Sequence, residues 1–206
     1  MKKRYVVLSS LLVAILLFGT LFNTLLDDQW EIWDDGLSWM YVVSGTKYVL
    51  ENEKVDGTYS VELDLVDLES NLGKTIFQQG HKQRILIDKI EKVSEKNEYL
   101  VTLYSWCKHN VFGGELVTFY AHYPKIEGKH QPSIETANAV VQYMDNMYNC
   151  ITVDSWKLVR HEGDLITYQI ILPEDVNVEL NDKAVLTVSN LTENKWSRNW
   201  DYRETK

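Results

Sequence analysis

Hydrophobic and polar positions follow one pattern at the start of the chain and another over the rest of it. Residues 6–22 contain no charged side chain, and the apolar character continues to Leu26. A helix needs about 20 residues, at a rise of about 1.5 Å each, to cross the hydrocarbon core of a bilayer. Such a helix pairs all of its backbone polar groups internally, as lipid requires. The pattern therefore predicts a transmembrane helix over residues 5–26.

The charges on either side of this run predict its orientation. Three cations precede it, namely Lys2, Lys3 and Arg4, and the segment after it is acidic, with Asp27, Asp28, Glu31, Asp34 and Asp35. Basic flanks are retained in the cytoplasm. We therefore expect a cytoplasmic flank at residues 1–4, an anchor at 5–26, a juxtamembrane segment at 27–44 and an extracytoplasmic β-rich domain at 45–206.

A cleaved secretory signal is the alternative interpretation of the same run. The apolar region of such a signal usually has about 7–15 residues and ends in a small-x-small cleavage site. No such site is present at residues 22–26, where the sequence reads Phe-Asn-Thr-Leu-Leu. The sequence favours a retained signal-anchor, and either interpretation exports the domain across the cell membrane.

A period of two dominates the rest of the chain and predicts β-strands. Residues 58–65 alternate well, with Tyr59, Val61, Leu63 and Leu65 on one face. Gly113 and Gly114 predict a bulge or tight turn, and Pro124 is expected to end the strand that follows. The predicted strands are residues 40–43, 47–50, 58–65, 84–93, 98–106, 115–123, 151–159, 165–172, 176–180 and 184–188. Short connections favour antiparallel hairpins, among them 84–93 with 98–106 and 176–180 with 184–188.

One segment departs from this period. Between residues 133 and 149 the apolar side chains recur at spacings of three and four, at Ile134, Ala137, Val141, Met144 and Tyr148. This spacing predicts an amphipathic helix with Ser133 as its cap. The expected fold class is therefore α+β: a mostly antiparallel, sandwich-like sheet with one main helix, preceded by the transmembrane helix.

Composition and charge exclude two classes of protein. The chain is 45% hydrophobic and 12% aromatic, which excludes a disordered ectodomain. Its formal charge is −9, and the part after the basic flank is more acidic still. No dense cluster of Lys and Arg follows Arg4, so nucleic acid is not an expected partner.

Aromatic residues lie close to both ends of the predicted domain. Trp30 and Trp33 follow the apolar run, where indole rings settle among lipid headgroups. The polar tail at residues 190–206 carries Trp196, Trp200 and Tyr202, so we expect it to dock on the domain. Exposed aromatic residues of this tail or of strand ends would form a contact surface.

The chain has two cysteines, Cys107 and Cys150. The predicted export places them in an oxidising compartment, where cysteine pairs are common. We therefore expect a Cys107–Cys150 disulfide, with two separate structural thiols as the alternative.

The candidate chemistry is weak. Cys107, His109 and His122, with His130 nearby, could form a thiol–imidazole pair, because a nucleophilic thiolate needs an adjacent base or cation. No cysteine-hydrolase signature surrounds Cys107, and the histidine spacing does not match a zinc site. Asp64, Asp67 and Glu69 lack the calcium-loop pattern. We expect no metal and no cofactor.

Three functional hypotheses follow from these patterns. The first is a non-enzymatic, single-pass protein of the cell envelope that works by contact with another envelope protein or a ligand. The second is an envelope hydrolase that uses Cys107 with His109 or His122. The third is a passive subunit of a larger membrane assembly, in which the anchor over residues 5–26 makes the contact.

Overall fold

The computed structural model of the chain describes residues 2–36, 39–40, 46–93, 97–126, 129–154, 163–174, 178 and 183–201. One long helix, α1 (Lys2–Asp35), precedes the strands. The strands are β1 (Tyr48–Lys54), β2 (Thr58–Asp64), β3 (Thr75–Gln79), β4 (Gln83–Lys92), β5 (Glu98–Cys107), β6 (His109–Asn110), β7 (Gly113–Thr118), β8 (Tyr120–Ile126), β9 (Lys129–Thr136), β10 (Asn138–Tyr143), β11 (Asn146–Asn149), β12 (Ile151–Asp154), β13 (Gly163–Ile171), β14 (Lys183–Ser189) and β15 (Thr192–Arg198).

Helix α1 is long and apolar enough to cross a membrane, by its length and composition, over Leu12–Asp34. The large apolar side chains between Leu12 and Phe22 are exposed, Phe18 by 70%. The helix ends where Gly36 adopts a positive φ of 58° and donates its backbone N–H to Ile32 O at 2.9 Å. A glycine in this left-handed conformation is a common helix terminator. The helix therefore extends beyond the anchor expected at residues 5–26 into the expected juxtamembrane segment.

The strands form four sheets, in which every described pair is antiparallel. Sheet A has the order β1-β15-β7-β6, sheet B the order β11-β10-β14-β2, sheet C the order β12-β13-β5-β4-β3, and sheet D consists of β8 and β9. The predominance of antiparallel β-structure is as predicted. The β4–β5 hairpin is confirmed, with Ile85 opposite Ser105 and a register shift between Ile87 and Lys89.

Sheets B and C contribute to one large hydrophobic core. Its members include Leu63, Val141 and Leu186 from sheet B and Ile87, Leu103 and Ile166 from sheet C, all fully buried. Alternate residues of β2 enter this core, since Leu63 is buried whereas Glu62 is exposed. A face that is buried on every second residue explains why period-two patterning predicted these strands.

A second, smaller apolar cluster joins sheet A to the end of α1. It comprises Ile32, Met40, Tyr48, Cys107, Val111, Leu116 and Trp196, with Leu25, Trp39 and Leu50 packed against it. Asp28, only 1% exposed, forms ion pairs with Lys47 Nζ at 2.8 Å and with Arg198 Nη1 at 2.5 Å. Lys47 precedes β1 and Arg198 ends β15. The last turns of α1 are therefore fastened to two neighbouring strands of sheet A.

The amphipathic helix predicted over residues 133–149 is wrong. This segment forms the end of β9, all of β10 and β11. Ala137, Ala139, Val141 and Tyr143 are buried in alternation with more exposed neighbours, and a turn at Met144 and Asp145 reverses the chain. Among the described residues after Gly36, helical structure is limited to a 3₁₀ turn at Leu68–Asn71 and to Trp39 and Met40. The domain is therefore β-rich and lacks the main helix that we expected there.

Two further expectations about strands have definite outcomes. The pairing of 176–180 with 184–188 is wrong, because both edges of β14 are occupied by β10 and β2. Pro124 does not end a strand but lies within β8, where the β8–β9 register shifts between Tyr123 and Ile126. Proline is tolerated at such irregular positions of a two-stranded sheet. Residues 41–43, 155–159, 176–177, 179–180 and 202–206, on which other expectations fall, lie outside the described residues.

Candidate functional site

The two cysteines are not bonded to each other. Cys107 is fully buried in the small cluster beside α1, whereas Cys150 is half-buried and packs against the large core. The expected disulfide is therefore wrong, and the alternative of two separate structural thiols describes the structure. Burial raises the pKa of the Cys150 thiol to about 12.

The structure brings together one of the expected thiol–imidazole pairs. Cys107 Sγ lies 3.9 Å from His109 Nδ1, a distance at the long limit for a hydrogen bond to sulfur. The side chain of Cys107 is nevertheless 0% exposed. The side chain of His130 lies outside the described part of the chain.

His122 has a different partner, which sequence reasoning missed. Its Nε2 lies 2.7 Å from Asp164 Oδ2, and both side chains are fully buried. Its backbone N–H donates to Asn194 Oδ1 at 2.7 Å, and its carbonyl accepts from Asn52 Nδ2 at 2.7 Å. A buried pair with this many bonds joins β8 to β13, β15 and β1, so His122 has a structural position in the interior.

An open groove of about 600 Å³ lies against sheet A. Its lining includes Ser197 and five charged residues, namely Glu51, Lys82, Lys108, Glu115 and Lys195. Lys82 precedes β4 and Lys108 follows β5, and the backbone N–H of Lys108 donates to Lys82 O at 2.9 Å. Alternation along β15 places Lys195 on the face opposite Trp196, which packs in the cluster with α1. Trp196 nevertheless contributes to the lining of the groove, beside Gly113 and Gly114 of β7.

The groove carries charges of both signs. The register of sheet A places Lys195 between Glu51 of β1 and Glu115 of β7. Lys195 Nζ also lies 2.8 Å from Glu193 Oε2 and 3.0 Å from Glu53 Oε2. These hydrogen bonds, the one that Lys195 donates to Glu193 most of all, raise the pKa of Lys195. Lys82 and Lys108 also line the groove and are exposed, so they add two cations to it.

A hydrogen-bonded chain leads from the groove into the protein interior. Gln83 Nε2 donates to Glu193 Oε1 at 3.2 Å, and Gln83 Oε1 accepts from the backbone N–H of Val117 at 2.7 Å. The hydroxyl of Ser105 donates to the carbonyl of Val117. Gln83 is 3% exposed, so these bonds satisfy a buried amide between sheets A and C. The network fixes the position of Glu193, and through it that of Lys195, relative to Gln83 of β4.

Gly113 allows β7 to lie close to β15 beside the groove. Its φ is 145°, and a Cβ atom at this position would overlap the carbonyl oxygen of Trp196 on the neighbouring strand. Only glycine permits this approach of β7 to β15. The bulge or turn predicted at Gly113 and Gly114 thus corresponds to a tight strand contact, with Asn110 opposite Gly113 in β6.

Among the side chains that the structure describes, no group of three or more His, Cys, Asp or Glu residues is placed to hold a metal ion. Comparison with known proteins gives no further constraint. The chain matches no protein family, no curated protein and no solved structure. Its function is therefore argued from its own residues.

The residues that build the groove and the buried pair were mostly missed by sequence reasoning. Asp164 falls between the predicted strands 151–159 and 165–172, and Gln83, Glu193 and Lys195 have no recognisable spacing. The one available signal was the glycine pair at residues 113 and 114, which marked the position of the groove without its chemistry.

Proposed function

We propose that this chain is a single-pass protein of the cell membrane, with a cytoplasmic N-terminus and a β-rich domain on the extracytoplasmic side. The support is the bare apolar surface of α1, because a surface of this kind needs lipid or protein to cover it. The hydroxyls of Thr20 and Thr24 donate to Leu17 O and Thr20 O, at 2.9 and 3.0 Å, so both are satisfied within the helix. Lys2, Lys3 and Arg4 supply the cytoplasmic flank.

The domain acts by contact with an envelope protein, and the groove on sheet A is the contact surface. The observation that carries this proposal is an open groove on sheet A whose lining carries charges of both signs. Its volume is in the range of about 300–1,000 Å³ that is typical of ligand sites. The cations Lys82 and Lys108 and the anions Glu51 and Glu115 of its lining suit a partner segment that carries charges of both signs.

A photo-crosslinking experiment in intact membranes tests this function. A photoreactive residue in place of Asn110, which lines the groove, should form a defined adduct with one partner protein. The double variant Lys82→Glu/Lys108→Glu should abolish the adduct. The control double variant Lys89→Glu/Lys92→Glu changes two exposed lysines of β4 outside the groove and should leave the adduct intact. Equal adducts in both double variants, or none in the unaltered protein, would contradict the proposal.

The hydrolase alternative requires Cys107 to reach a substrate. In the structure the thiol is fully buried and His122 is bonded to Asp164. No described observation favours this alternative over a binding function, and it stays an untested prediction.

The passive-subunit alternative is separated from our proposal by exchanging the helix. Residues 6–24 can be replaced by an unrelated apolar sequence, while Leu25, Asp28 and Ile32 keep their contacts with sheet A. Our proposal expects the groove crosslink to survive this exchange. Loss of the crosslink, with the domain still folded, would favour a subunit that is recognised through its helix.

A further inference from the structure

Two exposed aromatic side chains lie together at the end of sheet A that is fastened to α1. Phe112, in the turn between β6 and β7, is 56% exposed, and Trp200, just after β15, is 61% exposed. Their ring centroids are 6.4 Å apart. Large aromatic side chains are seldom left this exposed in pairs, so the pair marks a contact surface.

Contacts from residue to residue fix the height of this pair along α1. Arg198 is ion-paired with Asp28, stacks its guanidinium 5.6 Å from the Trp200 ring, and donates its backbone N–H to Phe112 O at 2.9 Å. Asp28 follows Leu26, the last residue of the apolar run, by about 3 Å along the helix axis. The aromatic pair is therefore linked through Arg198 to the level of α1 that directly follows the apolar run.

That level is where a bilayer accepts aromatic rings. The headgroup region on each side of the hydrocarbon core is about 5–7 Å thick, and Trp and other aromatic residues concentrate there. Trp30 and Trp33 lie at a similar height on the part of α1 that faces away from the domain, 59% and 63% exposed and 5.0 Å apart. Aromatic surface is thus present at one level on both the helix and the domain.

We propose that Phe112 and Trp200 insert into the headgroup region of the bilayer that α1 crosses, and so form a second membrane contact of the folded domain. This inference rests on the proposed membrane anchoring. It assigns the pair to a lipid surface because the pair is continuous with the anchor through Arg198 and Asp28. A domain held at two points keeps one orientation relative to the membrane.

Depth-dependent fluorescence quenching tests this contact. Full-length protein is reconstituted in phosphatidylcholine vesicles whose acyl chains carry bromine either near the headgroup or near the bilayer centre. The part of the tryptophan emission that the Trp200→Phe variant lacks is assigned to Trp200. Its quenching is then compared for the two lipids. We expect that component to be quenched most by bromine near the headgroup and to be protected from aqueous acrylamide. Trp106→Phe is the control, because Trp106 lies on sheet C beside Arg84 and its component should be open to acrylamide alone.

Each other outcome contradicts the inference in a distinct way. If the vesicles carry the protein on flotation but the Trp200 component is quenched by acrylamide and not by bromine, the domain does not touch the bilayer through this pair, and the anchoring still holds. Protection of Trp200 from both quenchers would assign the pair to a second copy or another protein. Failure of the protein to float with the vesicles would contradict the anchoring itself. Phe112→Ser, read by the same quenching of Trp200, repeats the test without altering the reporter and should weaken the bromine effect.

Discussion

Gly113 is the residue whose replacement should harm sheet A most. Because a Cβ atom here would overlap the Trp196 carbonyl oxygen, Gly113→Ala must push β7 away from β15. We expect a loss of about 3 kcal/mol in the free energy of unfolding, measured by denaturant titration of the detergent-solubilised protein. Gly73→Ala is the control, since Gly73 has a φ of 77° but nothing within 4 Å of the added atom, and it should cost about 1 kcal/mol. Equal losses in the two variants would contradict the described strand contact.

The two thiols provide a second prediction at the scale of residues. Because burial raises the pKa of Cys150 to about 12, its thiolate fraction in the folded protein is about 10⁻⁴ at pH 8. Alkylation of the folded protein should therefore be slow at pH 8 and accelerate about tenfold per pH unit up to pH 11. In denaturant without a reducing agent, mass spectrometry should show two alkyl groups, on Cys107 and Cys150. An unreactive, bonded pair under those conditions would contradict the structure.

The limits of sequence reasoning are clearest at individual polar residues. The spacing of Cys107 and His109 correctly placed them near each other, because two residues on adjoining strands stay close. The partner of His122 is Asp164, which is distant in sequence and became a neighbour only through the pairing of β13 with β5. Pairings of this kind depend on the sheet order, and no local pattern encodes that order.

At the scale of elements, period-two patterning succeeded where one face of a strand is apolar and buried. It failed for β15, whose residues Thr192, Glu193 and Asn194 are all buried although they are polar. The side chains of Glu193 and Asn194 form hydrogen bonds inside the protein, so a central strand of sheet A looked like a polar tail. The expected docking of the tail holds for Trp196, which is 3% exposed, but not for Trp200.

The prediction for residues 137–149 was wrong for a different reason. Its apolar residues satisfy a helical spacing and an alternating one at the same time, and short apolar segments cannot be assigned by periodicity alone. The structure resolves the ambiguity through the positive φ of Met144, 53°, which starts the turn between β10 and β11.

The strand assignment predicts different effects on the free energy of unfolding for substitutions at Val141 and Met144, two residues that an amphipathic helix would have buried on one face. Val141→Ala should cost about 2 kcal/mol, because Val141 is fully buried between Tyr148 and Leu186. Met144→Asn should leave the free energy of unfolding unchanged or raise it slightly, because Asn tolerates a positive φ and Met144 is 50% exposed. Both are read by thermal or chemical unfolding. A large loss in Met144→Asn would restore the helical interpretation.

The attachment of α1 to sheet A gives a further prediction about elements. Asp28→Asn leaves Lys47 and Arg198 without their shared carboxylate in a buried site, which should cost about 3–5 kcal/mol. Asp27→Asn is a matched control, since Asp27 is exposed on the same helix and its change should stay within about 0.5 kcal/mol. Hydrogen exchange at β1 and β15 reports the same loss locally. Indistinguishable stabilities for the two variants would mean that the ion pairs do not hold the helix in place.

For the whole molecule, one long apolar helix and a domain fastened to its end form a single unit. Apolar length predicted a helix at residues 5–26, because it is a property of consecutive residues, and the structure shows a helix over Lys2–Asp35. Neither this length nor the flanking charges could predict that its last turns dock on sheet A, since the docking depends on Asp28, Lys47 and Arg198 coming together from distant positions. The groove, the aromatic pair and the anchor are meaningful together only if the helix crosses a membrane in the proposed direction.

Labelling with a membrane-impermeant maleimide in intact cells measures that direction most directly. A cysteine introduced at the exposed Asp201 reports the domain, and one introduced at Lys3 reports the N-terminal flank, while Cys107 is buried and Cys150 reacts slowly. We predict that Asp201→Cys is labelled in intact cells and that Lys3→Cys is labelled only after permeabilisation. Labelling of Lys3→Cys in intact cells, with Asp201→Cys protected until permeabilisation, would contradict the account.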